Sequence, residues 1–242
     1  MNTPDSAGGG DWINLEGGPR AWLARPAQTQ GAPGICLFIE AFGVNGHMRQ
    51  VAEDFARAGY VAIVPDIYHG ETFDYDDMDG ALGAIRQLDE KQVMEEAGLA
   101  LNRLASEGIT GDPAVAGYCL GGRLAFRAGL ELGERLSAVV SYYGGGIFPD
   151  EDRFGREPLG DRAGEMGAPI LLQYGAEDGS IAPAEHGRIA AALSEAKKRY
   201  QLAVYPGAGH GFDCRERQSY HPGAAAEAWE LTHQFLSEQS GA

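Results

Sequence analysis

The hexapeptide Gly117-Tyr118-Cys119-Leu120-Gly121-Gly122 lies between an apolar run at 113–118 and a segment of helical character from about 121 to 133, and few chain paths can accommodate it. A strand that turns directly into a helix needs a tight turn with a strained residue at its apex, here Cys119. Side chains at 117 and 121 would collide with the neighbouring strand and helix, which accounts for glycine at both positions. The thiol is then expected at a helix N-terminus. There the helix dipole and free amide groups favour a thiolate and can bind an oxyanion, with the Leu120 amide as one donor. The competing reading, a buried core cysteine beside a glycine-rich turn, leaves the residues downstream unexplained.

The surrounding pattern sets the fold class. Residues 12–16 and 20–25 flank Gly17-Gly18-Pro19 and read as a hairpin. The apolar runs 34–39 and 61–64 read as strands, and 46–58 between them carries Val51, Phe55 and Ala58 at helical spacing. The segment 81–106 reads as one long helix or two short ones, with Gly83 and Gly98 marking the candidate breaks. Strands at 113–118, 136–142, 169–174 and 200–204 follow, with helices at 183–196 and 222–237. This alternation predicts an α/β fold: a largely parallel central sheet with an N-terminal antiparallel hairpin and helices on both faces. The stretches 70–80 and 144–168 are expected as loops over one rim of the sheet. The acidic run Asp74, Asp76, Asp77, Asp79 lacks calcium-loop spacing and reads as a solvated surface.

The chain has 242 residues, within the range of one sheet with its helices, so residues 1–10 are expected as a loose tail and 11–242 as a single domain. A net charge of −16 repels phosphate backbones and anionic lipid surfaces, which excludes nucleic acid and membranes as partners and leaves a small molecule. No apolar run reaches the roughly 18–20 residues of a membrane span, and MNTPDSAGGG lacks the character of a secretion signal, so a cytoplasmic location is expected. Three cysteines cannot all pair, and none has zinc-site spacing, so neither a metal nor a cofactor is expected. Cys36, inside an apolar run, reads as a small buried hydrophobe. A monomer or small homo-oligomer is expected.

A nucleophile at such a turn needs an acid and a histidine later in the chain, each on a loop after a strand. Asp178, in Tyr174-Gly175-Ala176-Glu177-Asp178, and His210, in Gly209-His210-Gly211-Phe212, occupy those positions, with Glu177 a rival for the acid. The imidazole would exchange a proton with the thiol and then with the leaving group, while the acid holds its tautomer. His47, His69, His186, His221 and His233 lack the strand-end position. Glu40 ends the apolar run 34–39, where a carboxylate is costly unless paired, and the loop beyond it offers the Phe42 amide as a second oxyanion donor.

With GYCLGG, AED, GHGF, IEAFG and VPDIY in this order, the chain resembles the dienelactone hydrolase (carboxymethylenebutenolidase) family from about Ile35 to Phe235. The resemblance implies an α/β-hydrolase fold and hydrolysis of lactones such as dienelactone through a thioester. It implies Cys119 as nucleophile, Asp178 and His210 as partners, and Glu40 as the carboxylate that accepts the thiol proton or holds the thiol idle until substrate binds. The family uses arginines to hold a substrate carboxylate; Arg86, Arg215 and Arg217 are the candidates here, and Cys214 stands about where one such arginine would fall. Tyr142 and Tyr143 are further candidates for substrate contact, and Arg123 reads as structural. The alternatives are a broad esterase of small esters and a non-catalytic, ligand-binding or thiol-sensing protein on the same fold.

Overall fold

The computed structural model of the protein describes residues 9–239; the expected tail falls almost wholly outside them. Eight strands form one sheet in the order β1-β2-β4-β3-β5-β6-β7-β8. β1 (Gly10–Asn14) and β2 (Arg20–Ala24) make the expected hairpin, with Trp12 opposite Trp22, and β2 runs antiparallel to β4 (Val61–Pro65). From β4 onward the pairings are parallel, through β3 (Gly34–Phe38), β5 (Ala114–Tyr118), β6 (Val139–Tyr142), β7 (Ile170–Gly175) and β8 (Tyr200–Tyr205). β3 to β7 are buried along their whole length, which is why their sequences are continuously apolar rather than alternating. The edge strands β1 and β8 are partly exposed.

Among the described residues six α-helices cover this sheet: α1 (Gly46–Arg57), α2 (Met78–Gln87), α3 (Glu90–Ser106), α4 (Leu120–Glu131), α5 (Pro183–Glu195) and α6 (Pro222–Gln239). The chain moves from β3 to β4 in one direction and from β4 through β5 to β8 in the other. Right-handed crossovers then put α1 on one face and α3, α4 and α5 on the other. Side-chain contacts agree. Phe55 of α1 packs on Trp229 and His233 of α6, whereas Glu90 of α3 pairs with Arg123 and Arg127 of α4. The direction reverses between β3 and β5, so their carboxyl ends open the crevice in which such sheets place their ligands. Glu40 follows one of these strands and Cys119 the other.

Two expectations change. The segment 81–106 is two helices, but the break falls at Leu88-Asp89 rather than at Gly83 or Gly98, because the Asp89 carboxylate caps α3 by accepting from the Lys91 amide. The stretch 144–168 is not wholly loop, since Leu159–Glu165 forms 3-10 turns. The acidic run is exposed as expected, with Asp77 capping α2. Among the described residues no helix is long and apolar enough to cross a membrane.

Candidate active site

β5 ends at Tyr118 and α4 begins at Leu120, which leaves Cys119 alone at the apex with φ 56° and ψ −114°. This backbone is strained for a residue with a Cβ, so its surroundings must enforce it. The Cys119 amide donates to the Tyr142 carbonyl at 3.0 Å and the Gly121 amide to the Ile39 carbonyl at 2.9 Å, tying the turn to β6 and to the end of β3. A Cβ at Gly117 would overlap the Gly121 carbonyl, and one at Gly121 would strike the carbonyl oxygens of Phe38 and Ile39. These are backbone atoms, which cannot give way as side chains do.

The thiol meets the two residues expected from chain order. His210 Nε2 lies 3.0 Å from Cys119 Sγ, and His210 Nδ1 lies 2.8 Å from Asp178 Oδ2. Asp178 is held in turn, its Oδ1 accepting from the Ser180 amide at 2.7 Å and the Ile181 amide at 3.1 Å. Glu177, the rival acid, is exposed. Burial alone would lower the His210 pKa; the Cys119 sulfur and the Asp178 carboxylate outweigh it and push it up to about 10. The contacts thus run unbroken from Asp178 through His210 to Cys119. The Leu120 and Phe42 amides have no backbone acceptor among the described residues.

Glu40 is fully buried. Its Oε1 accepts from the Tyr143 hydroxyl at 3.2 Å and lies 3.8 Å from Arg217 Nη1, while its Oε2 has no hydrogen-bond partner among the described residues. Arg217 also lies over the Phe42 ring, 5.6 Å from its centroid. The structure thus gathers Glu40, Phe42 and Arg217 on the β3 side of the crevice. The thiol's hydrogen bond is to His210, and Glu40's is to Tyr143. The three cysteines differ sharply in setting. Burial pushes the Cys36 thiol up to about 12; burial and the Glu40 charge do the same at Cys214, so both are protonated at neutral pH.

The remaining candidates fall elsewhere. Tyr142 is not a substrate contact: it is fully buried, stacks on Tyr118, and directs its hydroxyl to Thr232 Oγ1 at 2.6 Å and the Ala228 carbonyl at 3.2 Å. Tyr143, one residue beyond the strand and with a left-handed φ of 38°, instead directs its hydroxyl to Glu40 and packs its ring against His210. Arg86 is exposed with its guanidinium over Phe154, and among the described residues it makes no contact with Cys119, His210 or Glu40. Arg215 lines a separate cavity of about 520 Å³ with His47, Asp54, Asp213 and Trp229. Arg123 is structural as expected, wholly buried and donating to Glu90 and to the Gly146 and Glu157 carbonyls. The sequence reading missed Tyr68, a buried tyrosine whose hydroxyl has no hydrogen-bond partner among the described residues and whose pKa is raised by burial and by the charge of Cys119. Its signal was the end of an apolar strand, the same position that drew notice to Glu40.

Comparison with known proteins bears on the family and the fold. Residues 20–240 match the profile of the Dienelactone hydrolase family. A protein of Escherichia coli (strain K12), provisionally named carboxymethylenebutenolidase, is 30% identical over 228 residues, covering 91% of this chain and 83% of that protein. A Bradyrhizobium sp. protein, provisionally named 2-oxo-3-(5-oxofuran-2-ylidene)propanoate lactonase, is 30% identical over 234 residues, 93% of each chain. A crystal structure from Klebsiella pneumoniae, provisionally named dienelactone hydrolase, superposes with a TM-score of 0.83 at 27% identity, covering 90% of this chain and 92% of that one.

Proposed function

Since the chain belongs to the dienelactone hydrolase family and is a hydrolase of ester or lactone bonds, we propose that Cys119 is its nucleophile, acting with His210 and Asp178 on small lactones of the dienelactone type. The observation that carries this reading is the chain of contacts from Asp178 through His210 to Cys119, at 2.8 and 3.0 Å. The thiolate attacks the lactone carbonyl, and the developing oxyanion is taken up by the Leu120 and Phe42 amides. His210 gives its proton to the departing ring oxygen, leaving a thioester whose alcohol end is still tethered to the acyl group. Water, deprotonated by the now neutral His210, attacks the thioester; the ring-opened acid leaves and the thiolate–imidazolium pair is restored. Asp178 holds the Nδ1–H tautomer and orientation throughout.

Glu40, hydrogen-bonded to Tyr143 and 3.8 Å from Arg217, helps to orient Arg217 in the crevice and takes no proton in this cycle, because the thiol proton resides on His210. Arg217 is the arginine best placed to hold a substrate carboxylate, because it reaches the same crevice as Phe42 and Glu40. The test is steady-state hydrolysis of cis- and trans-dienelactone, simple butyrolactones and short p-nitrophenyl esters by native protein and Cys119→Ala. Fast turnover of the dienelactones that disappears in the variant is expected. Turnover that survives in Cys119→Ala rejects the mechanism, and a preference for the p-nitrophenyl esters replaces the lactonase with a broad small-ester esterase.

A further inference from the structure

We propose that Glu40, His47 and Cys214 form a binding site for a soft divalent cation, zinc(II) being the best match to their donor atoms. The three residues are far apart in sequence but meet in the fold: Glu40 follows β3, His47 lies in the first turn of α1, and Cys214 lies between β8 and α6. One donor atom from each lies within 4.8 Å of the other two. A carboxylate oxygen, an imidazole nitrogen and a thiolate sulfur are the three ligand types zinc takes, and three protein ligands leave a fourth position open. Bonds of about 2.0–2.3 Å give tetrahedral edges of roughly 3.3–3.8 Å, so side-chain shifts of about 1 Å at most close the site.

Two orphaned atoms make this more than proximity. Glu40 is fully buried and His47 is 6% exposed, yet among the described residues Glu40 Oε2 and His47 Nε2 have no hydrogen-bond partner. Buried polar atoms are normally satisfied, so two unsatisfied ones beside a buried thiol point to a ligand there. The groups behind the donors are already arranged to orient them. Tyr143 donates to Glu40 Oε1, leaving Oε2 free, and the Tyr75 hydroxyl lies 3.2 Å from Cys214 Sγ while accepting from Asn45 Nδ2 at 3.1 Å. His47 also lines the cavity of about 520 Å³ whose walls carry the carboxylates of Asp54 and Asp213 and the guanidinium groups of Arg57 and Arg215. On binding, the Cys214 thiol proton passes to solvent as the metal–sulfur bond forms. Arg217, 3.8 Å from Glu40 Oε1, opposes the cation but leaves Oε2 unclaimed.

The site stands on its own geometry and not on the proposed hydrolysis. The probe is cobalt(II), whose thiolate complexes show a near-ultraviolet charge-transfer band, titrated into native protein, Cys119→Ala, Cys214→Ser and His47→Gln, each checked for folding by circular dichroism. Cys119→Ala separates this site from the thiolate–imidazole pair of the active site, which is itself a potential metal ligand. The expected result is a one-equivalent band in native protein and in Cys119→Ala, its loss in Cys214→Ser, and at least about tenfold weaker binding in His47→Gln. No band in native protein, or a band lost in Cys119→Ala and retained in Cys214→Ser, overturns the proposal. Should Cys214→Ser not fold, unchanged cobalt affinity in His47→Gln overturns it equally.

Discussion

Cys119 and His210 are 91 positions apart, and their 3.0 Å contact depends on backbone that neither residue controls. The strained φ of Cys119 aims the thiol, the amides of Ser180 and Ile181 fix Asp178, and Asp178 fixes the ring. Asp178 also helps hold the imidazolium charged, which gives a prediction with a definite sign. In the native protein the imidazolium is lost as pH rises through about 10, so kcat/KM should fall on an alkaline limb near that value. Asp178→Asn removes a negative neighbour, destabilises the imidazolium and moves the limb to lower pH, while lowering kcat/KM at neutral pH by roughly 10²–10⁴. A pH–rate series on both proteins checks this; an unmoved limb means that Asp178 does not act on His210. At this scale the sequence was most legible where a role depends on local chain context. The elbow cysteine, the acid and the histidine each carry a turn of their own. Tyr142 was misread because its hydroxyl is taken by Thr232 and Ala228 of α6, which only the tertiary fold brings to it, and the meeting of Glu40, His47 and Cys214 is likewise purely tertiary.

Among the elements, α4 must be held firmly, because it carries the elbow and offers the Leu120 amide. Its anchor is the fully buried Arg123, which with Arg127 pairs to Glu90 at the start of α3 and also donates to carbonyls of the segment 144–158. Burial works against the charge on Glu90, but the two guanidinium groups prevail and hold its carboxyl below the usual range. This contribution is therefore present above the unfolded glutamate pKa of about 4.3 and is lost as pH falls below it. Glu90→Gln leaves Arg123 buried without its counter-charge and should cost about 3–5 kcal/mol in urea unfolding at neutral pH, with a smaller difference from native protein at pH 3. A loss below about 1 kcal/mol at neutral pH would show that the carbonyl contacts alone suffice. Gly121→Ala tests the other side of the same helix: its methyl would meet the Phe38 and Ile39 carbonyls, so hydrolysis should be lost together with at least about 2 kcal/mol of stability. The strands and helices were legible because apolar runs and helical spacing are local. The break at Leu88-Asp89 was less so, since the glycines drew attention while an aspartate cap decided the boundary.

For the whole molecule, the crevice lies where the strand order reverses, between β3 and β5, and its two walls carry different chemistry: the thiol and its partners on one, Glu40, Phe42 and Arg217 on the other. Around both lies a chain of net charge −16. An anionic lactone must approach against that field, and Arg217 reverses it only close to the site, because a single guanidinium 3.8 Å from a buried carboxylate is largely cancelled at long range. Screening length then controls the approach: it is about 30 Å at 0.01 M salt, comparable to the molecule, and about 8 Å at 0.15 M. Raising the ionic strength between these values should increase kcat/KM for a lactone bearing a carboxylate and leave a neutral lactone or p-nitrophenyl ester unchanged. If kcat/KM for the anionic lactone falls instead, a local positive field dominates the encounter, and more of the arginines must face the crevice than Arg217 alone. If both substrates respond alike, salt acts on the protein itself and not on the approach of charge. The comparison therefore reads, from solution kinetics, whether this acidic surface discourages the anionic substrates proposed for the crevice.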